Sequence, residues 1–202
     1  MLSAHALTTV EMLKAELSIP ADDTSRDAEL ARAINAASDA VRRYCGRDFA
    51  RIKTTEHLAG RGTPSLLVSL SPIVSVEAVA IDGQEIDLAD LVIDYAAGII
   101  VRLHGIWPEC DRPNVSVTYI GGWVTPAQAE AQAEGEGLVR DLPHDIEEAC
   151  LIIAATRVQS MGQPVDAQIL QVEQIRVHWS EGGRQSIPQQ AATLLEPYVR
   201  WA

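Results

Sequence analysis

The sequence is poorest in the features that would give it a chemistry or a membrane. No run of eighteen apolar residues occurs anywhere in its 202 residues, so no transmembrane helix is expected. The N-terminus has no basic stretch followed by an apolar one, and no signal peptide is expected there. Cysteine occurs three times, as Cys45, Cys110 and Cys150, an odd number with no C-x-x-C spacing. That usage reads as reduced thiols in a cytosolic assembly environment rather than a disulfide framework. Basic charge is scarce: 16 Lys and Arg stand against 28 Asp and Glu, a formal net charge of −12. Proteins that grip nucleic acid neutralise phosphates with clustered Lys and Arg, so this charge argues against a phosphate-gripping role. An acidic wall past which DNA slides is compatible with this charge, although solubility alone is the first explanation of the acidity.

Sequence signatures of catalysis are missing too. There is no phosphate-binding G-x-x-x-x-G-K-[ST], no dinucleotide-binding G-x-G-x-x-G, no H-E-x-x-H and no G-x-S-x-G. His5, His57, His104, His144 and His178 are far apart, and none sits four residues from another ligand. A zinc site would need His104 and Cys110 plus a distant residue; capping or surface roles suit these histidines better. Cys110 lies in a loop but has no nearby His-and-acid pair to activate it. Glu147 and Glu148 beside His144 suggest acid–base chemistry, yet acidic residues in a first helical turn are ordinary dipole partners. No cofactor is expected.

What is present is a core. The apolar fraction is 47%, and the length suits one large domain or a core with an inserted lobe. Residues 27–49 organise the chain. Leu30, Ile34, Ala37, Val41 and Tyr44 recur at helical spacing, Arg32, Asn35, Asp39, Arg42 and Arg43 fall off that stripe, and Gly46 follows as a left-handed cap. Before it, residues 7–17 form a first helix, with Thr8 and Glu11 as a capping box and Leu7 and Met12 as a staple; Pro20 ends it. Asp23, Thr24 or Ser25 would cap the central helix.

After Phe49 the period becomes two. Strands are expected over 53–58, 66–70, 74–81, 84–88, 91–95, 99–103 and 115–120, short strands that make a small antiparallel lobe. Asp82-Gly83 is a type I′ hairpin dipeptide, and Ala97-Gly98 turns a second hairpin. Residues 125–137 are rich in Ala, Gln, Glu and Gly and lack an apolar face, reading as a mobile loop or frayed helix. A third helix opens at Pro143, capped by Asp141, with Ile146, Ala149, Ile153 and Thr156 or Arg157 as its stripe and Leu151 and Ile152 widening it. Gly162 and Pro164 end it. Ile175, Val177 and Trp179 alternate as a strand would, and a short final helix follows Pro188.

The fold class is therefore α+β: a small helical bundle of N-terminal, long central, third and short C-terminal helices, with an inserted antiparallel β-lobe. The boundaries are 1–49 and 141–202 for the helical core, 50–124 for the β-lobe and 125–140 for an acidic mobile loop.

The order of several motifs resembles the phage head–tail connector (adaptor) family. The carriers are Leu7, Thr8, Thr9, Glu11, Leu13, Lys14 and Leu17; then Tyr44, Cys45, Gly46, Arg47 and Phe49; then residues 71–83, 98–101, Trp107-Pro108, 115–121 and finally 194–200. The resemblance spans roughly residues 7–201, is loose near 165–185 and does not reach 125–140. It implies a structural virion protein in the neck between capsid and tail, assembled in the host bacterial cytoplasm. Such proteins form a homo-oligomeric ring, commonly a dodecamer, beneath the portal protein, and extend the channel through which DNA passes. It also implies a tail-side neck or stopper partner, no membrane, and a C-terminal segment that reaches the portal. On this chain that segment supplies Leu194, Leu195, Pro197, Tyr198, Arg200 and Trp201, and deleting residues 188–202 is expected to abolish portal binding with the rest folded. Arg42, Arg43, Arg47 and Arg51 read first as a solvated basic face and, in a ring, as partners for acidic groups of the next subunit. Trp107, Trp123, Trp179 and Trp201 are core residues or interface anchors. The competing readings are a tail-side neck protein, such as a stopper or tail-completion factor, and an enzyme with a loop-borne site.

Overall fold

A computed structural model describes residues 1–131, 138–161 and 187–200. Among these the chain has five α-helices and seven β-strands in two antiparallel sheets, an α+β fold. It divides into two compact units, one built from residues 1–47 and 124–202, the other from 48–123.

In the first unit, α1 (Val10–Glu16) begins one residue later than its capping pattern suggests. Thr9, not Thr8, is the cap, and its Oγ1 accepts from the Met12 N–H at 3.3 Å. Thr8 is fully buried. Helix α2 (Asp27–Cys45) buries Leu30, Ile34, Ala37 and Val41 as the period requires, and Cys45 takes the last buried place while Tyr44 is half-buried. Its cap is Arg26 with no side-chain bond. Asp23 instead turns back on Ser25, and Arg26 pairs with Glu29 at 3.0 Å. Gly46 closes the helix at φ 66°, a left-handed conformation that a Cβ would disfavour. Lys14, 4% exposed, reaches Asp27 at 2.6 Å and ties α1 to α2.

Thr125 and Gln128 form a reciprocal cap, each side chain bonding the other's N–H, and start α3 (Pro126–Ala131). Residues 132–137, the rest of the expected loop, lie outside the described residues. Helix α4 runs His144–Met161. Asp141 does not cap it; its Oδ1 accepts from the Val124 N–H at 2.5 Å. The buried set of α4 is Ile146, Ala149, Cys150, Leu151, Ile153, Ala154, Ala155 and Val158, whereas Thr156 and Arg157 are exposed. So wide a buried arc suits a helix packed by α1, α2 and α5 (Gln189–Leu195). Residues 162–186, including the expected 175–179 strand, lie outside the described residues.

The second unit holds β1 (Ile52–Leu58), β2 (Ser65–Leu67), β3 (Ile73–Ile81), β4 (Gln84–Glu85), β5 (Leu91–Asp94), β6 (Ile99–Arg102) and β7 (Val115–Gly121). They form two antiparallel sheets, ordered β1-β7-β3-β4 and β2-β6-β5. Asp82 and Gly83 turn the β3–β4 hairpin with φ 49° and 81°, both positive as the type I′ turn demands. Leu66, Val68, Ile100, Trp107, Val79, Val117 and Tyr119 join the two sheets in one core. The unit's ends meet: Trp123 donates its N–H to Phe49 O at 2.8 Å, and the two rings stack at 5.9 Å. Gly122 is obligatory there, because a Cβ would lie 2.6 Å from Ala50 O.

Candidate interaction surfaces

The C-terminal segment is partly core. Ala191 and Leu195 are fully buried, on the helix that packs against α4. Leu194 and Tyr198 are half-buried and Pro197 is exposed. Past the last turn, the Arg200 N–H donates to Cys45 O at 2.9 Å, which stitches the segment onto the end of α2. Burial, with Asp145 nearby, raises the Tyr198 phenol. Burial, aided by the neighbouring Arg200 charge, pushes the Arg47 guanidinium down to about 10. Trp201 lies outside the described residues.

Of the four arginines, three belong to the first unit and one to the second. Arg42 and Arg43 are exposed on α2, with Arg42 3.4 Å from Asp39, and Arg47 is half-buried past its cap. Arg51 belongs to the other unit, where its Nε donates to Gly122 O at 3.3 Å. Of the tryptophans, Trp107 is fully buried core and Trp123 half-buried; Trp179 lies outside the described residues.

The carboxylates near His144 are structural in their contacts. Glu147 is buried and ion-paired with Arg140, and Glu148 is exposed. In the β-unit, Glu56 accepts from Ser69 Oγ and from the Tyr119 hydroxyl, which itself accepts from the Leu70 N–H at 3.0 Å. Burial and the Glu56 bond push the Tyr119 phenol well up, so it stays a proton donor and latches the segment after β2. Among the described residues no three His, Cys, Asp or Glu side chains are grouped to hold a metal ion, and no helix is long and apolar enough to cross a membrane.

One surface escaped the sequence reading. In the three-stranded sheet, Leu66, Ile100 and Ile93 share a row facing the core. The alternate rows are Leu67–Ile99–Asp94 and Ser65–Val101–Val92, and they form the outer face. Leu67 and Val92 are 57% and 50% exposed, and Leu103, next in the alternation after Val101, is 52% exposed. The signal was present in the unbroken apolar runs of β5 and β6, which alternate with nothing polar until their last residue.

A family model for head completion proteins matches residues 6–154, about three quarters of the chain. No curated protein matches it. Among solved structures, the fold is similar to a chain of the neck of an empty gene transfer agent (GTA) particle computed with C6 symmetry, at 19% identity and TM-score 0.58. A chain of the native GTA particle neck computed with C12 symmetry is similar at 17% and 0.55. A chain of the native GTA virion is similar at 18% and 0.60. Each likeness covers 100% of this chain and 93% of the other. With the family model matched from Ala6, ahead of α1, to Ala154, within α4, the chain belongs to the head completion protein family.

Proposed function

We propose that this chain is a structural virion protein of the neck, forming an adaptor ring beneath the portal that extends the DNA channel and joins capsid to tail. The observation that carries this reading is the head completion family match, which runs through both units. The likeness to neck chains over nearly their whole length supports the place. The six- and twelve-fold symmetry of those neck structures supports a ring, with a dodecamer as the copy number. A net charge of −12 suits a channel that DNA traverses without being held.

Portal contact falls to Leu194, Pro197, Tyr198, Arg200 and Trp201 of the C-terminal segment, with Leu195 as the anchor that seats it. Deleting residues 188–202 is a poor test, because it removes buried Ala191 and Leu195 and uncovers α4. The better test is native mass spectrometry of the chain with the portal protein of the same genome, beside a Pro197→Asp, Arg200→Glu variant. One copy of the wild-type chain per portal subunit is expected, with at least tenfold weaker binding by the variant at unchanged helicity. Binding to the tail-side neighbour with none to portal would replace this reading by the stopper or tail-completion alternative.

A further inference from the structure

A ring is closed by a heterologous contact, in which two different patches of each copy are buried, one on either neighbour. The second unit carries two patches of opposite charge. Residues 62–101 hold six acidic side chains and no Lys or Arg. Of these, Asp82, Glu85, Asp87, Asp90 and Asp94 are exposed, and none has an ion-pair partner among the described residues. They follow the chain from the β3–β4 turn through the Leu88–Asp90 turn to β5. Because β4 ends one sheet and β5 ends the other, these carboxylates mark one margin of the unit. The opposite margin is formed by β1 and β2, the other end strands, which Glu56 ties together by accepting from the Ser69 N–H at 2.9 Å. It carries Arg51, Lys53 and Arg61. Arg61 is exposed in the loop between the two strands, and Lys53 pairs with Glu77 at 2.6 Å yet keeps 60% of its side chain exposed. Glu56, the only acidic residue from 49 to 76, is taken up by Ser69 and Tyr119. One row of the larger sheet, His57–Ser116–Ala80–Glu85, runs from margin to margin. Three strand spacings put its ends roughly 14 Å apart, beyond the Debye length of about 8 Å at physiological salt, so the margins do not neutralise each other within one copy.

We infer that the basic β1–β2 margin of one copy meets the acidic β4–β5 margin of the next copy, and that this is a lateral contact of the ring. The inference rests on the ring reading above. Charge complementarity selects the occupant. Copies bearing −12 repel one another, so association needs a place where the sign is reversed. Margins can meet in three ways. Acidic on acidic and basic on basic both set like charges together, which works against a symmetric pair; acidic on basic attracts. Opposite margins of one unit make a head-to-tail contact, and a head-to-tail contact repeats until it closes. The acids of the first unit are disposed otherwise, since Asp27, Glu29, Asp39 and Glu147 each pair with a cation of their own chain. The five carboxylates of the β4–β5 margin have no such partner among the described residues, and a neighbour's Arg61 and Lys53 supply one. Exposed pairs set register and partner choice more than affinity, so the contact holds poorly between two copies and gains when a closed ring repeats it.

The test uses the full-length chain assembled with its portal protein and read by native mass spectrometry. A Lys53→Glu, Arg61→Glu variant has two acidic margins, and a Glu85→Lys, Asp90→Lys variant has two basic ones. Asp82, which sits at φ 49°, and Asp87, which caps the Ala89 N–H, are left in place. Each variant alone should lower the fraction of closed rings at least tenfold at unchanged circular dichroism. An equal mixture of the two should restore closed rings, with both variants in equal numbers, because each margin again meets its opposite. A merely structural role for these side chains gives no such rescue. Rings that persist in each variant alone overturn the inference and leave the ring reading standing, and they do so too if the acidic variant's rings lose DNA or a tail-side protein instead. A mixture of two folded variants that forms no ring also overturns it. Should a reversal unfold the chain, Lys53→Gln, Arg61→Gln and Glu85→Gln, Asp90→Asn take its place; each should lower the ring fraction, and wild-type levels in both overturn the inference. Absence of any wild-type ring, with or without portal, overturns the ring reading and this inference with it.

Discussion

Cys45 and Cys150 are both fully buried, and their thiols respond as buried acids do. Burial pushes Cys45 up to about 11 and Cys150 to about 12, from an ordinary value of 9.0. A thiol whose folded pKa is raised stabilises the fold fully below the unfolded pKa, and that stability drains away as pH climbs toward the folded one. The urea midpoint should therefore fall above pH 9, with Cys150 contributing about 1.4 kcal/mol per pH unit. The window to read is pH 8–10. Above it Tyr119 ionises in the unfolded chain while the folded phenol keeps its proton, with the same sign, and Arg47, pushed down to about 10, works the other way as its buried charge is lost. A Cys45→Ser, Cys150→Ser variant should flatten the slope; a slope that survives it would assign the loss elsewhere. Cysteine burial was only partly legible in the helical period, whose α2 stripe ends on Tyr44 where the structure buries Cys45. The Glu56–Tyr119–Ser69 latch was not, because it joins residues 63 and 13 positions apart and no local pattern encodes such a meeting.

Helix α5 is short, seven residues, and below the length at which a helix stands alone in water. Its place therefore depends on Leu195, fully buried, more than on any propensity. Leu195→Ala should cost about 2–5 kcal/mol in denaturant unfolding, while Leu194→Ala, one position earlier and half-buried, should cost about 1 kcal/mol or less. Equal losses would mean that the helix is seated otherwise. At this scale the sequence was most informative where a period runs long enough to be unambiguous. The stripe and Gly46 cap of α2 and the hairpin turns at Asp82-Gly83 and Ala97-Gly98 all formed where their patterns lie. Caps were less legible, since Thr8 and Thr9 are chemically alike and Asp141 can serve Val124 as well as a helix. The division into two sheets was not legible. It depends on β7 pairing with both β1 and β3, and on β2 pairing with β6 some thirty residues on, and strand period says nothing of partners.

For the whole molecule the governing quantity is charge. Copies bearing −12 repel one another, and every lateral contact must overcome that repulsion. Two kinds of contact are open to it. One is ionic, with basic groups of one copy facing acidic groups of the next; the other is apolar. Salt separates them. Screening at about 0.5 M shortens the Debye length to a few Å, weakening an ionic contact between exposed groups and, at the same time, relieving the repulsion between copies. Arg42, Arg43 and Arg47 belong to one unit, and Arg51, which donates to Gly122 O, belongs to the other. The second unit by itself carries both signs, on opposite margins. At about 0.15 M the Debye length is already about 8 Å, so repulsion between distant charges is largely screened and the short-range attraction is what remains to be lost. Ring formation, followed by light scattering with portal present, should therefore fall as salt rises from about 0.15 to about 0.5 M. A rise over that range would return the lateral contact to an apolar face, which has only repulsion to lose.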